Sequence, residues 1–174
     1  MNTLYTIGHS NRTIEQFLEL LRAFDIQEVV DVRTVPKSRH NPQFGQDMLT
    51  SALHDASIRY THLGKLGGLR HPSKGSVNAG WRNASFRGYA DYMATDEFQE
   101  GLRALETIAL EKKTAIMCAE AVPWRCHRSL IADALTTQGW QVLDIQSKKT
   151  AKPHKLTPFL KVQDGKLSYP APEE

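Results

Sequence analysis

Hydrophobic positions in the first 35 residues change from strand spacing to helix spacing and back. Residues 4–8 (LYTIG) form a short apolar run that ends in glycine, which is typical of a buried strand. Residues 14–24 keep apolar side chains at helical spacing, and Thr13 with Gln16 forms the capping-box pattern that begins a helix. Residues 28–35 (EVVDVRTV) predict a second strand, stopped by Pro36. A connection of this length predicts a parallel β-α-β unit.

The rest of the chain repeats this alternation. Thr95 and Gly139 stand where a helix N-cap and a helix C-cap belong. Residues 64–88 are rich in Gly, Asn and Ser and predict a long irregular segment, of the kind that is usually functional or mobile. Asp164-Gly165 predicts a hairpin within residues 159–169, and residues 170–174 read as a frayed tail. Further strands are predicted at 58–63, 114–120 and 140–145, and helices at 46–56, 89–93, 95–113 and 127–138.

This order of elements predicts one α/β domain over residues 1–174. We expect a three-layer α/β/α arrangement with a mostly parallel sheet of about five strands, plus the C-terminal hairpin. The core should span residues 3–146, and residues 147–170 should form a basic extension that contains the hairpin.

The composition, with 40% hydrophobic and 24% charged residues, is typical of a globular protein and argues against disorder or coiled coil in the body of the chain. The first residues show no signal-peptide pattern, and no stretch has the length of a membrane span, so we expect a cytoplasmic protein without a membrane partner. Two cysteines fit a reducing compartment. Cofactors and oligomeric state stay open.

The charge is segregated although the net charge is only +3. Three stretches carry Lys and Arg without acids: Thr61 to Ala90, the region between Asp31 and Asp47, and the region between Asp144 and Asp164. Segregated positive charge favours an anionic partner such as phosphate, a nucleotide or nucleic acid. A solvated basic face without a partner is an equal alternative.

Polar and reactive side chains follow the ends of the predicted strands. Ligands of an open parallel sheet bind beyond the carboxyl ends of its strands. We therefore expect the side chains after four strands to meet in one cleft. Those chosen as ligand-binding candidates are Ser10, Asn11, Arg12, Asp31, Arg33, Ser38, Arg39, Arg125, Cys126 and Arg128, and those chosen as catalytic candidates are Cys118, Glu120, His9 and His127.

Each candidate has a structural alternative. Arginines could hold a phosphate or carboxylate by bidentate hydrogen bonds, and a thiol at a helix start has a lowered pKa. Cys118 could equally be a small buried hydrophobic residue, and Asp31 could pair with Arg33 to hold a loop. His9 and His127 could bridge backbone groups instead of catalysing.

Known cysteine motifs fit the spacing poorly. A phosphatase-type loop needs Arg six positions after Cys, but Trp124 stands six after Cys118. Zinc ligation by Cys118, Cys126 and His127, with His9 or Glu120, is chemically reasonable, yet the spacing is not a recognised zinc motif. A Cys118–Cys126 disulfide is a further alternative. The sequence contains no glycine-rich nucleotide-binding fingerprint.

Three motifs in this order resemble the domain of unknown function 488 family. They are YTIGHSNRTIEQF (5–17), VVDVRTVPKSRHNPQF (29–44) and CAEAVPWRCHRSLIADAL (118–135), and LGKLGGLR (63–70) fits the family's middle segment. The resemblance implies a shared fold and site but no settled reaction. It singles out Gly8, His9, Ser10, Asp31, Arg33, Ser38, Arg39, Cys118, Glu120, Cys126, His127 and Arg128.

Two functional hypotheses follow, with a third behind them. The first is an enzyme acting on a nucleotide or nucleic-acid-derived anion, with Cys118 as nucleophile or redox thiol, Glu120 as general acid or base, and His9 or His127 as proton carrier. The second is a non-catalytic nucleic-acid-binding or nucleotide-sensing module, in which Trp81, Phe86 and Tyr89 stack bases. The third is a Cys/His metal-binding protein.

Overall fold

The computed structural model describes residues 1–172 and contains a six-stranded sheet with helices on both faces. The strands are β1 (Thr3–Gly8), β2 (Glu28–Asp31), β3 (Arg59–His62), β4 (Thr114–Cys118), β5 (Gln141–Ser147) and β6 (Thr150–Pro153). Their order across the sheet is β3-β2-β4-β1-β5-β6. All neighbours are parallel except β6, which is antiparallel to β5. The predicted α/β class, the mostly parallel sheet and the single domain are confirmed.

Five helices cover the sheet in two layers. They are α1 (Ile14–Ala23), α2 (Gln46–Asp55), α3 (Ala84–Tyr92), α4 (Asp96–Glu111) and α5 (Arg128–Thr137). Apolar side chains of α1 and α2 pack with Ile7 and Val29 on one face, and those of α3, α4 and α5 pack with Ile116 and Leu4 on the other. These two clusters form the core of a three-layer sandwich.

Local sequence signals account for several helix ends. Thr13 and Gln16 form the predicted reciprocal capping box of α1. The Thr95 side chain accepts a hydrogen bond from the backbone N–H of Phe98 at the start of α4. Gly139 has a φ of 95° shortly after α5 ends, a conformation that glycine adopts without strain.

The C-terminal extension differs from its prediction. Residues 150–153 form the additional strand β6 on the sheet edge, which was predicted only as part of a basic extension. The hairpin strands β7 (Lys161–Gln163) and β8 (Lys166–Ser168) form a separate two-stranded sheet, as predicted. Asp164 and Gly165 both have positive φ at its turn, as a tight hairpin requires. The predicted frayed tail includes residues 173–174, which lie outside the described residues.

Among residues 1–172, no helix combines the length and the apolar character that crossing a membrane requires.

Candidate functional site

The carboxyl ends of β1, β2 and β4 lie side by side. Gly8 is paired with Cys118, and Asp31 with Met117. Pairing continues past the end of β1, because the backbone N–H of His9 donates to the carbonyl of Cys118 at 2.9 Å and that of Ser10 donates to Ala119 at 2.9 Å. The segment after β4 is therefore held against the segment after β1.

The sheet separates the candidate residues into two groups, which corrects the expectation of one shared cleft. Cys118 lies two residues after Ile116 in β4 and shares its face of the sheet, which α5 covers. Asp31 lies two residues after Val29 in β2 and shares the opposite face, which α1 and α2 cover. His9 lies on the latter face, where its ring stacks on Phe44 with centroids 4.3 Å apart. Because successive strand residues point to opposite faces, reaching the same edge does not place two side chains together.

The first group, which we call the thiol cluster, contains Cys118, Cys126, His127 and Arg128. The Cys126 thiol donates to Cys118 Sγ at 2.6 Å, and both cysteines are in the free form. Arg128 Nη1 donates to the same sulfur at 2.7 Å. Cys118 Sγ thus accepts hydrogen bonds from a thiol and from a guanidinium.

These contacts favour the thiolate form of Cys118. Burial opposes ionisation, but the hydrogen bond from Cys126 and the positive charge and hydrogen bond of Arg128 outweigh it and lower the pKa of Cys118 to about 7. Burial and the neighbouring Cys118 sulfur raise the pKa of Cys126 well above its usual value. The pair therefore loses its first proton near neutral pH, from Cys118, while Cys126 keeps its proton.

Arg128 is fully buried at the start of α5 and is held by several acceptors. Besides Cys118 Sγ, its guanidinium donates to the carbonyl of Glu120, to the carbonyl of Ala121 at 3.0 Å and to Asp144 Oδ1 at 3.3 Å. Burial lowers the pKa of Arg128, but the two thiols and Asp144 outweigh this effect and raise it. Most of the guanidinium donors that were predicted to bind a ligand therefore bind acceptors of the protein itself.

His127 connects the thiol cluster to Val32, the residue that follows β2. Its Nε2 donates to the carbonyl of Val32 at 2.8 Å, which leaves Nδ1 as the acceptor, 3.6 Å from Cys126 Sγ. Burial lowers the pKa of His127 to about 4, so the ring is neutral at pH 7.

The second group contains His9, Asp31 and Arg33, of which Asp31 and Arg33 form an ion pair. Asp31 accepts from Arg33 Nε at 2.9 Å and from Arg33 Nη2 at 2.7 Å, and Tyr60 OH donates to it at 2.6 Å. His9 Nδ1 donates to the carbonyl of Ser10, while Nε2 is buried without a partner among residues 1–172. Burial lowers the pKa of His9. The alternative in which Asp31 holds Arg33 describes this geometry.

The remaining candidates lie at the rim. Glu120 is exposed, and its backbone carbonyl, not its carboxylate, contacts Cys118 and Arg128. Arg12 is half-buried and donates to the carbonyl of Gly8 at 2.8 Å. Ser38 accepts from the backbone N–H of Asn41 at 3.1 Å. Ser10 is half-buried, and Asn11, Arg39 and Arg125 are exposed.

Within residues 1–172, no group of three or more His, Cys, Asp or Glu side chains is arranged to hold a metal ion. The sequence-based zinc set of Cys118, Cys126 and His127 with His9 or Glu120 is not assembled, because His9 lies on the other face and the Glu120 carboxylate is exposed. The geometry therefore gives the metal-binding alternative no support.

A model of a family described as a domain of unknown function, DUF488, matches residues 13–135. The chain belongs to the DUF488 family. The comparisons found no curated protein and no solved structure that matches this chain. The matched region of this DUF488 protein contains the thiol cluster and the Asp31–Arg33 pair, but it ends before Asp144 and the C-terminal extension.

Sequence reasoning missed two polar residues beside the thiol cluster of this DUF488 protein. Asp144 lies buried in β5, where it accepts from Arg128 and from Thr6 Oγ1, the latter at 2.6 Å. The available signal was a single acid in an otherwise apolar strand, because a buried carboxylate requires a partner. Thr6 gave no signal, since threonine is common in strands.

The aromatic residues expected to stack bases are part of the packing instead. Tyr89 is buried and donates to the carbonyl of Leu66 at 2.8 Å. Trp81 packs against Phe86, Phe159 and Tyr169. The three residues do not form the base-stacking row on which the nucleic-acid-binding hypothesis relied.

Proposed function

We propose that this protein is a thiol-dependent enzyme for a small anionic substrate, with Cys118 as its nucleophile. The observation that supports this proposal is the pair of hydrogen bonds to Cys118 Sγ, from Arg128 Nη1 at 2.7 Å and from Cys126 at 2.6 Å. They lower the pKa of Cys118 to about 7, which favours the thiolate, and the thiolate is the nucleophilic form of cysteine.

The reaction class that fits these groups is group transfer through a covalent intermediate. The Cys118 thiolate attacks an electrophilic atom of the substrate, a bond to sulfur forms, and the leaving group departs with the electron pair of the bond that breaks. Water or a second acceptor then releases the transferred group. We assign proton transfer to His127, because its Nδ1 is the ring nitrogen beside the sulfur pair.

The preference for an anion rests on positive charge at the same strand ends. Arg12 lies close enough to Arg128 that their repulsion, after burial, lowers the pKa of Arg12. Arg125 is exposed three residues before Arg128. An anionic substrate would relieve the repulsion between these guanidinium groups.

Access to Cys118 requires local movement. The sulfur-bearing residue is only 2% exposed, and residues 119–125 contain the carbonyls that fix Arg128 above it. A substrate therefore reaches the sulfur when this segment opens, as loops over active sites commonly do.

The test compares alkylation of Cys118 by iodoacetate, which is anionic, and by iodoacetamide, which is neutral and of similar size. The variant Cys126→Ser leaves Cys118 as the single thiol and keeps a hydroxyl donor beside it. We expect iodoacetate to react several times faster than iodoacetamide, and Arg12→Gln to reduce this ratio. Equal rates for the two reagents, or a Cys118 that reacts only after unfolding, would contradict the proposal.

Reversible oxidation is a second candidate function, favoured by the 2.6 Å separation of the two sulfurs. The Cys118 thiolate would attack a substrate disulfide and release one thiolate, and Cys126 would then displace the second as the Cys118–Cys126 disulfide forms. Equilibration with glutathione buffers, followed by mass spectrometry, tests this candidate. Loss of two hydrogen atoms at an oxidising poise supports it, and retention of both thiols at every poise contradicts it.

A further inference from the structure

A cavity of about 780 Å³ lies beside the thiol cluster, on the face of the sheet covered by α5. Its lining includes Thr6 of β1, Asp144 of β5 and residues 152–159 of the C-terminal extension. Arg128, whose guanidinium donates to the Cys118 sulfur, is also one of the residues that line the cavity. The volume is typical of sites for small molecules.

Three residues that line the cavity each carry a buried polar atom without a partner among residues 1–172. They are Trp81 Nε1, Arg128 Nε and Asp144 Oδ2. Arg128 and Asp144 are more than nine-tenths buried, and a buried polar group without a hydrogen-bond partner is unfavourable. The set offers two donors and one acceptor, so it matches a ligand that has two acceptors and one donor.

Apolar rings form another part of the lining. The Trp124 side chain is 69% exposed, although tryptophan is usually mostly buried. Phe159, Pro123 and Pro158 line the same cavity. An exposed indole at the rim of a polar-based cavity is suited to stacking on a flat ring.

The cavity also carries positive charge at its surface. Lys152 and Lys155 are exposed, line the cavity and form no ion pair with any carboxylate of the described residues. Among residues 1–172, Asp144 is the single acid that lines the cavity, and Arg128 already contacts it. The surplus of positive charge suits a phosphate.

We propose that this cavity binds a mononucleotide. Nucleobases are flat and present hydrogen-bond acceptors and donors on one edge, which suits stacking on Trp124 and pairing with Asp144, Arg128 and Trp81. The phosphate binds Lys152 and Lys155. This inference names the substrate class of the proposed thiol enzyme and rests on that function only for the chemical step, since the cavity itself is independent of Cys118.

The experiment titrates the full chain with adenosine, cytidine, guanosine and uridine monophosphates and follows tryptophan fluorescence and binding heat. We expect at least one of them to bind, and the corresponding nucleoside and inorganic phosphate to bind at least tenfold more weakly. Trp124→Ala should weaken binding about tenfold, because base–aromatic stacking contributes this much. Replacing both lysines, in the double variant Lys152→Ala with Lys155→Ala, should weaken binding and reduce the dependence of binding on salt concentration.

Lys149→Ala is the control, because it removes one positive charge from the turn between β5 and β6, outside the cavity lining, and each single variant Lys152→Ala and Lys155→Ala is compared with it. Lys149→Ala should leave binding unchanged. Absence of binding by all four mononucleotides at millimolar concentration, or equal losses in Lys149→Ala and in each of these single variants, would overturn the inference. Since Trp124 is exposed, its replacement tests the site without threatening the fold.

Two readouts separate this inference from the proposed function: nucleotide binding by the unmodified protein, and alkylation of Cys118 in the Cys126→Ser variant. Nucleotide binding without a preference of Cys118 for iodoacetate overturns the thiol-enzyme proposal and leaves the cavity as a binding site. A strong iodoacetate preference without nucleotide binding overturns the cavity assignment and leaves the thiol proposal standing.

Discussion

At the scale of single residues, the thiol cluster shows how neighbours decide what a buried group does. Cys118 and Cys126 are the same residue type at similar burial, yet their pKa values move in opposite directions. The difference arises because Arg128 Nη1 and the Cys126 thiol both donate to Cys118 Sγ. Sequence spacing identified both cysteines as candidates but could not say which one ionises, since that depends on contacts with a guanidinium ten positions away.

His127 gives a prediction at this scale. Its pKa is lowered to about 4 by burial, so the folded protein binds the proton later than the unfolded chain as pH falls. The stability that depends on neutral His127 is fully present above about pH 6.5 and is lost as pH falls towards 4, a change on the order of 3 kcal/mol. In urea unfolding, the free energy of unfolding should fall less between pH 6.5 and pH 4 in His127→Gln than in the unmodified protein.

His71→Gln is the control, because it makes the same replacement at an exposed histidine and should leave the free energy of unfolding at pH 7 unchanged. The pKa of His9 is also lowered by burial, but His9 is present in both variants, so its contribution cancels from the comparison. Identical pH dependence in His127→Gln and the unmodified protein would show that His127 is not a buried neutral ring.

At the scale of elements, the carboxyl ends of the strands bring the candidate residues to one edge of the sheet. The alternation of side chains along each strand then separates these residues between the two faces. Periodicity was enough to predict five parallel strands, because their apolar runs are long and separated by helices. The prediction of one cleft was wrong for His9 and Cys118, because the strand-end rule gives the edge of the sheet but not its face.

Strand boundaries were predicted less well than strand positions. The strands β2 and β4 were predicted too long, since Val32 and Ala119 continue the apolar pattern after the strand pairing ends. Strand β6 was missed because its short Lys- and Pro-containing sequence resembles a loop.

Gly8 gives a prediction for the contact between two elements. A Cβ at Gly8 would collide with the backbone carbonyl of Glu120 and lie 2.8 Å from Ala121 Cα. Because backbone atoms cannot move aside cheaply, Gly8→Ala should lower the free energy of unfolding by about 2–3 kcal/mol. It should also displace the carbonyls that hold Arg128, and therefore raise the pKa of Cys118.

Gly64→Ala is the matched control, because the nearest atom to its added Cβ is a side-chain carbon at 3.5 Å. Urea unfolding of the two variants measures the difference. A Gly8→Ala protein as stable as Gly64→Ala would show that the segment after β4 does not press against the end of β1.

At the scale of the whole molecule, a buried acid joins the C-terminal extension to the domain. Asp133 of α5 accepts hydrogen bonds from His154 at 2.7 Å, from the Thr157 hydroxyl at 2.7 Å and from Tyr169 OH at 2.9 Å. This extension supplies one wall of the cavity, so the proposed binding site depends on long-range contacts. No local sequence pattern predicts contacts between residues this far apart in the chain, which is why residues 147–170 were predicted only as a basic extension that contains the hairpin.

Asp133→Ala should therefore destabilise the protein by about 3 kcal/mol, because it leaves several buried donors without an acceptor. It should also make residues 147–168 the first region cut in limited proteolysis. Asp164→Asn, at the exposed hairpin turn, is the control and should change neither property. Unchanged proteolysis in Asp133→Ala would mean that the extension is attached by other contacts.

The most direct test of the account is the ionisation of Cys118, followed by thiolate absorbance near 240 nm in the unmodified protein and in Cys118→Ser. We predict an absorbance rise with a midpoint near pH 7 in the unmodified protein, as its pKa indicates, and the absence of this rise in Cys118→Ser. A titration in which neither thiol ionises below about pH 8.5, the ordinary range of cysteine, would contradict the central claim.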